Sequence, residues 1–573
     1  MAQRPTILLP EYAPDLSDLG TGVSTTITGV VPRADGYGPF KALESFTQAL
    51  AAAARGYFFG RKSDGSIAVF AGTSTDLYQL DNTTFAWTRV SKGGASYAAL
   101  VAVDNWRFAQ YNDTILATQN NTVPQAFALS SSSAFADLGG SPPQASHVAI
   151  VNRFVVLTGL LSNPRRVQWC DLDAITTWTA GVGLADYQDL PDGGTVHNIS
   201  GGDAYGVIFQ DESIRSLIYA PGSAVTFEIV RISTQDTLFG QYSVINAGDK
   251  TFFCSAQGFK VIEAGGKPKP IGKERVDRTF FADVDTSQLQ LLIGATDPSA
   301  TRVYWAYKSL QGATGLFDKA LCYDWSIGQN GQWSLLNISG EFLASLARPG
   351  VTLEQLDPIA PGALSVTGAA NNGAGLIRLT LSALSSANFD IHGQNFIVVQ
   401  GVTGTTEANG TWPFTIIDAT HIDLVGSAFA NAYVSGGAIG GSLDALPFSL
   451  DSISTAALAQ LSAFDSSHKL GFFTGDNVEA IMETPEQDLG GDLVFIDAVR
   501  PLTDASNAVV SIGGRLTAQA AVSYGTESAL TSAGDCPQMV ETRYAKARVR
   551  IPAASSWTYV RGVQPSAQPA GSL

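Results

Sequence analysis

From residue 57 to about 350 the chain is written in short apolar runs, β-branched or aromatic, cut at close intervals by turn signals. Runs such as "SIAVF", "HVAIVNRFVVLTG", "AYGVIF", "KTFFCS" and "TRVYWAYK" alternate with "KSDGS", "LDNTT", "YNDT", "PDGG", "YAPGSA", "NAGD" and "GQNGQ". That grammar is strand, turn, strand. Within it one hairpin recurs: "TDLYQLDNTTFAWTRVS", "VQWCDLDAITTWTAG" and "LCYDWSIGQNGQWSLLN" each place an aromatic, an Asp and a turn ahead of a Trp. The pairs are Tyr78 and Trp87, Trp169 and Trp178, and Tyr323 and Trp333, separated by nine, nine and ten positions. Such a hairpin is expected where four-stranded blades pack radially and each Trp fills the gap to the next blade, so these six residues are the expected blade anchors. The copies lie roughly 90 to 150 residues apart rather than the about 40 of regular propeller repeats, so the other blades must have diverged. A pair of β-sandwiches is the competing architecture.

Composition agrees with a mainly β chain. A length of 573 residues at 45% hydrophobic suits two to four domains, and 58 glycines with only 15% charged residues favour tight turns over exposed charged helices. The net charge of −17 argues against a broad grip on phosphates, although an acidic wall lets DNA slide past without sticking. Cys170, Cys254, Cys322 and Cys536 are too sparse for a disulfide framework or a CxxC site and are expected to be buried small hydrophobes. The N-terminus lacks a signal-peptide core and no run reaches membrane-span length, so a soluble product of a reducing cytosol is expected, with no membrane insertion.

Four regions follow. Residues 1–56 read as a Pro- and Gly-punctuated extended arm ending in a short helix, "ALESFTQALAAAARG". Residues 57–360 form the propeller-like body. Residues 361–442 are poor in charge and dense in Gly, Ala, Ser, Thr and Asn yet alternate like strands, as expected of a small β module inserted in a loop. Residues 443–573 return to the body through a short helix at "STAALAQLSAF", then strands, then a flexible tail "QPSAQPAGSL".

The stretches "PEYAPDL", "RADGYGPF", "ARGYFFGRKSDGSIAVFAGTSTDLYQLD", "WRFAQYNDTILAT" and "ARVRIPAASSWTYVRGVQP" resemble the tail nozzle, or tail tube, proteins of short-tailed bacteriophages. The resemblance implies a propeller-like body and a homohexameric ring below the portal and adaptor rings. It further implies a genome exit channel, attachment of tail fibres or spikes, transient passage of double-stranded DNA, and a place in the virion tail after synthesis in the host cytoplasm. The insertion resembles the small FCCH-like β domain through Gly401, Val402, Gly404, Glu407, Ala408, Asn409, Gly410, Trp412, Leu424, Ser427, Phe429, Tyr433, Gly436 and Gly437. No ubiquitin chemistry follows, since no cysteine lies between Cys322 and Cys536.

Catalytic, metal and cofactor signatures are not found. His147, His197, His392, His421 and His468 have no ligand spacing, and no GxSxG, GxxxxGK[ST] or helix-opening GxGxxG occurs. "DVDTSQ" (residues 283–288) lacks the Gly and distal Glu of a calcium loop. "SIGQNGQW" has the Ser-to-Trp spacing of a sialidase Asp box but Gly328 where the Asp belongs, so it reads as a blade turn. A receptor-binding or glycan-degrading propeller is the alternative function, and it needs paired acids, such as Asp171 and Asp324, that converge in space.

Two basic clusters stand out: Lys267, Lys269, Lys273, Arg275 and Arg278, and Arg543, Lys546, Arg548 and Arg550. They are the expected inter-subunit contacts, paired with acidic patches on a neighbouring subunit or the ring above. Solvated faces and DNA contact are the alternatives. Arg548 and Arg550 share one strand face opposite Val549 and Ile551, so that face must be wet or paired.

Overall fold

The computed structural model describes residues 4–82, 84–347, 364–384, 391, 396–440, 459–490 and 493–571. Seven four-stranded antiparallel units follow one another. Their first strands are Tyr57–Arg61, Arg107–Tyr111, Ala145–Val151, Val196–Ser200, Ile245–Ala247, Ile293–Asp297 and Phe342–Ala347, for blades 1 to 7. First strands pack side by side from blade 1 to blade 4 and from blade 5 to blade 7, and blade 7 returns to blade 1. Blades 4 and 5 meet through Phe209 and Phe253, whose rings are 5.1 Å apart. The body is therefore a seven-bladed β-propeller.

Blade 7 closes the ring with chain from both sides of the body. Its order is Phe342–Ala347, Ala459–Phe464, Leu470–Phe472 and then Glu44–Ser45, a strand that precedes blade 1 in sequence. This overturns the helix expected over 42–56. The segment is Ala-rich, but its amides find partners elsewhere: Phe46 N donates to Leu470 O, Leu50 N to His468 O, Arg55 N to Gly72 O, and Ala54 N to a Glu341 carboxylate oxygen 2.8 Å away. A helix of that length is marginal alone, and the ring closure wins. The second expected helix, at "STAALAQLSAF", is also corrected. Ala459–Phe464 is a strand in full register with Phe342–Ala347, and residues 454–458 lie outside the described residues.

Between those two strands sits the inserted module, whose expected limits, 361 and 442, lie outside the described residues. Residues 364–440 form a closed six-stranded barrel with its own core of Leu364, Ile377, Leu379, Ile397, Ile422 and Ile439 among others. The motif residues hold its loops. Glu407 accepts the amides of Ala430 and Asn431, Asn409 bonds the backbone of Val402 in both directions, Trp412 donates to Ala408 O, and the Tyr433 hydroxyl donates to Val366 O. The backbone donors hold the Glu407 carboxyl down to about 2.

Both chain ends build a further β-sandwich. One sheet contains Val30–Arg33, Gly36–Pro39, Val560–Gly571, Leu493–Thr503 and Cys536–Thr542, with Ile7–Leu8 added on Val560–Gly571. The other contains Ala480–Glu483, Tyr544–Ile551 and Val509–Arg515, and it continues blade 6 through Ile27–Thr28: Thr28 pairs in parallel with Leu335 and antiparallel with Ile481. The tail expected to be flexible is thus largely a strand, with Gln568 opposite Phe495 and Pro565 opposite Val499. Its two prolines sit where their missing N–H groups do not break the pairing with the neighbour.

Candidate functional site

The blade anchors are where the hairpins put them, in blades 1, 3 and 6. Trp333 is fully buried opposite Tyr323, 5.4 Å from the Phe259 ring of blade 5, and donates to Ile271 O. Trp178 is buried in a cluster shared with Ala109, Tyr111 and Leu116 of blade 2. Trp169 packs on Phe227 of blade 4. Trp87 and Tyr78 are half-buried in the blade 1 and blade 7 cluster, the Trp87 ring 5.7 Å from Phe464. The three hairpin tryptophans bridge to the preceding blade rather than the next.

The basic clusters meet carboxylates of the same chain, many of them on the N-terminal arm. Arg275 forms an ion pair with Glu11 and donates to the carbonyls of Ile271, Asn330 and Gly331. Arg278 donates to the Asp15 carbonyl, and the buried Asp15 carboxylate accepts Arg278 N, Thr279 N and Thr279 Oγ1, each within 2.8 Å, so the arm caps the helix Asp277–Asp283. Lys546 lies 2.9 Å from Asp18 and 2.8 Å from Glu483, which also accepts Arg548. Arg550 pairs with Glu527 and Glu479, and Lys269 with Glu263. Lys267 and Lys273 are exposed and form no ion pair among the described residues. Arg543 lies beside the Tyr544 ring, its buried Nε without a hydrogen-bond partner among the described residues.

Of the nine residues of the two clusters, Lys269, Arg275, Arg278, Lys546, Arg548 and Arg550 have intrachain partners for their side chains. The arm contributes Glu11, Asp15 and Asp18, so Arg275, Arg278 and Lys546 fasten it across blades 5 and 6 and the sandwich. Burial pushes the Glu483 carboxyl up, but Lys546 and Arg548 outweigh burial and hold it below the usual carboxylate range. Asp277 goes the other way. Burial, with Asp15 adding repulsion, pushes it up to about 6 against the Phe259 amide that it accepts.

The acids weighed for glycan chemistry are spent on turns. Asp171 accepts the amides of Leu172 and Leu184 in blade 3, while Asp324 holds Arg302 and caps the blade turn at Ser326 in blade 6. In "DVDTSQ", Asp283 pairs with Lys319 and Asp285 with Lys308. His197, His421 and His468 sit against Asp211, Asp418 and Glu341, and His392 lies outside the described residues. All four cysteines are free and buried, and burial pushes the thiols up, Cys170 and Cys536 to about 11 and Cys322 to about 12. Among the described residues no three His, Cys, Asp or Glu side chains gather to hold a metal ion, and no helix is long and apolar enough to cross a membrane.

The helix Asp277–Asp283 escaped the sequence reading because "KERVDRTFFAD" looks like a charged loop. Asp15, its cap, lies more than 260 positions away.

No family model and no curated protein matches the chain. Among solved structures it is similar to BamB from Moraxella catarrhalis, at 16% identity over 55% of this chain and 87% of that one, with a TM-score of 0.29. The N-terminal domain of Nup159 gives 14%, 44%, 72% and 0.27, and the Pan2 WD40 domain from Neurospora crassa 7%, 59%, 92% and 0.33. At such scores the propeller assignment rests on the chain's own strand pairing, seven four-stranded blades closed by a strand from the N-terminal arm.

Proposed function

We propose that the chain is a non-enzymatic structural subunit of a short-tailed phage tail, building a homohexameric ring below the portal and adaptor that serves as genome exit channel and platform for tail fibres or spikes. The supporting observation is spatial. The stretches that carry the resemblance meet across as many as 526 positions of sequence. Arg33 donates to Thr558 O, the Tyr37 hydroxyl to Pro10 O, and Asp35 binds Arg561. In the body, Trp106 N donates to Arg55 O and the Trp106 indole to Thr73 O. That these stretches meet in the fold supports reading them as parts of shared surfaces.

The conduit in such a ring lies between subunits. Gln241 O accepts from Arg107 of blade 2 and Asn198 of blade 4, and the cavity beside them is about 460 Å³, far too small for a duplex whose major groove alone is about 12 Å wide. The purified protein is expected to be monomeric and to close into a sixfold ring on a pre-formed adaptor, because small lateral contacts gain avidity from a template. Analytical ultracentrifugation and negative-stain imaging with and without portal and adaptor rings test this. A stable dimer that never adds to the adaptor would refute it.

A further inference from the structure

The propeller axis holds a cavity whose chemistry the assembly role does not use. It is lined by the first strands of blades 1 to 4 and the segment entering blade 5. At its floor, Arg107 Nη2 donates to Gln241 O at 3.0 Å and the guanidinium lies 4.5 Å from the Tyr242 ring centroid. Its Nε is buried with no hydrogen-bond partner, and Arg107 forms no ion pair among the described residues. Beside it His147, only 2% exposed, has no hydrogen bond within 3.5 Å on either ring nitrogen, although the Gln241 side chain lies close enough to act on it. Asn198 donates to the same Gln241 carbonyl. The half-buried side chains of Phe58, Phe108, Ile150 and Val244 line one part of the cavity, and Ser200 and Asn246 line another.

A half-buried cation without an ion pair and a buried imidazole that makes no close hydrogen bond are both costly unless something answers them. An anionic head with an apolar body answers both and matches the apolar part of the wall. The volume of about 460 Å³ suits a small organic molecule. We propose that the axial cavity binds a small organic carboxylate, with its carboxylate on Arg107 and His147 and its apolar body against the Phe58 and Phe108 side of the wall.

The full-length protein titrated with benzoate, benzamide and inorganic phosphate, followed by thermal shift and calorimetry, tests this. Benzoate is expected to raise Tm with concentration, as any ligand of the folded state must, while benzamide and phosphate leave it unchanged. Arg107→Gln is expected to weaken benzoate binding by at least about tenfold, and the exposed control Lys267→Gln to leave it intact. Should Arg107→Gln fail to fold, the ring signals of His147 in the histidine-labelled wild type, assigned with His147→Gln, must still move on adding benzoate. No response to benzoate, an equal response to benzamide, a response to phosphate alone, or undiminished binding by a folded Arg107→Gln would each overturn the assignment.

Discussion

At the residue scale, burial separates side chains that look alike in sequence. Trp333 is wholly enclosed between blades 5 and 6, whereas Trp87 is half-buried with its indole donating to Gln48 O. Trp333→Ala should cost about 3 to 5 kcal/mol through lost burial and a cavity, and Trp87→Ala clearly less, because solvent can fill the space it leaves. Denaturant unfolding of both variants checks this, and equal costs would mean that the two gaps are equally closed. Asp277 predicts a pH dependence. Its folded value of about 6 lies above the ordinary 3.8, so its contribution to stability is complete below about pH 4 and is lost as pH rises through 6. Asp277→Asn removes that loss, so the Tm of the variant relative to wild type should climb between pH 4 and 7. A flat difference would show that Asp277 does not titrate in this window.

At the scale of elements, the N-terminal arm is the piece that neither propeller nor sandwich can do without. Its strand Ile27–Thr28 joins blade 6 to the sandwich, and Gly29 follows at φ +71° with its amide on Leu335 O. A Cβ at Gly29 would sit 1.9 Å from Glu479 O, which is backbone and cannot swing away. Gly29→Ala is therefore expected to loosen the arm: limited proteolysis should cut within residues 17–26 faster than in wild type, while the blade cores stay protected. Equal cleavage would show that the junction has slack. The arm was legible as extended chain from its Pro and Gly punctuation. Its destination was not, since Glu11, Asp15 and Asp18 find Arg275, the helix at 277 and Lys546 only after folding.

For the whole molecule, the irregular Trp hairpin resolves into a regular body. The hairpins belong to blades 1, 3 and 6, so their uneven intervals span two and three blades. The first strands of the seven blades begin at residues 57, 107, 145, 196, 245, 293 and 342, and all but one of these steps lie close to 49. That period was present in the sequence, hidden because only three blades kept the Trp. The module interrupts blade 7 between Ala347 and Ala459, which are cross-strand partners. Replacing residues 349–457 with a short Gly/Ser turn should thus leave the body folded, since strand partners lie about 5 Å apart and a tight turn can span them. Circular dichroism and Tm check this, and an insoluble product would show that the module supports the ring.

What the sequence determined by itself were the features encoded by neighbours along the chain. Alternating apolar runs and turns made the strands, the self-contained 364–440 stretch made its own barrel, and the aromatic hairpins marked blade contacts, because each depends on side chains within about ten residues or on a local core. Tertiary structure alone decided the rest. It drew Glu44–Ser45 out of an Ala-rich, helix-favouring segment because the open edge of blade 7 offered paired hydrogen bonds that a lone helix could not match. It turned "QPSAQPAG" from a polar tail into a strand because Leu493–Thr503 lay beside it. It also paired Arg275 with Glu11 and Lys546 with Asp18, since charges hundreds of residues apart meet only once the arm is wrapped across blades and sandwich.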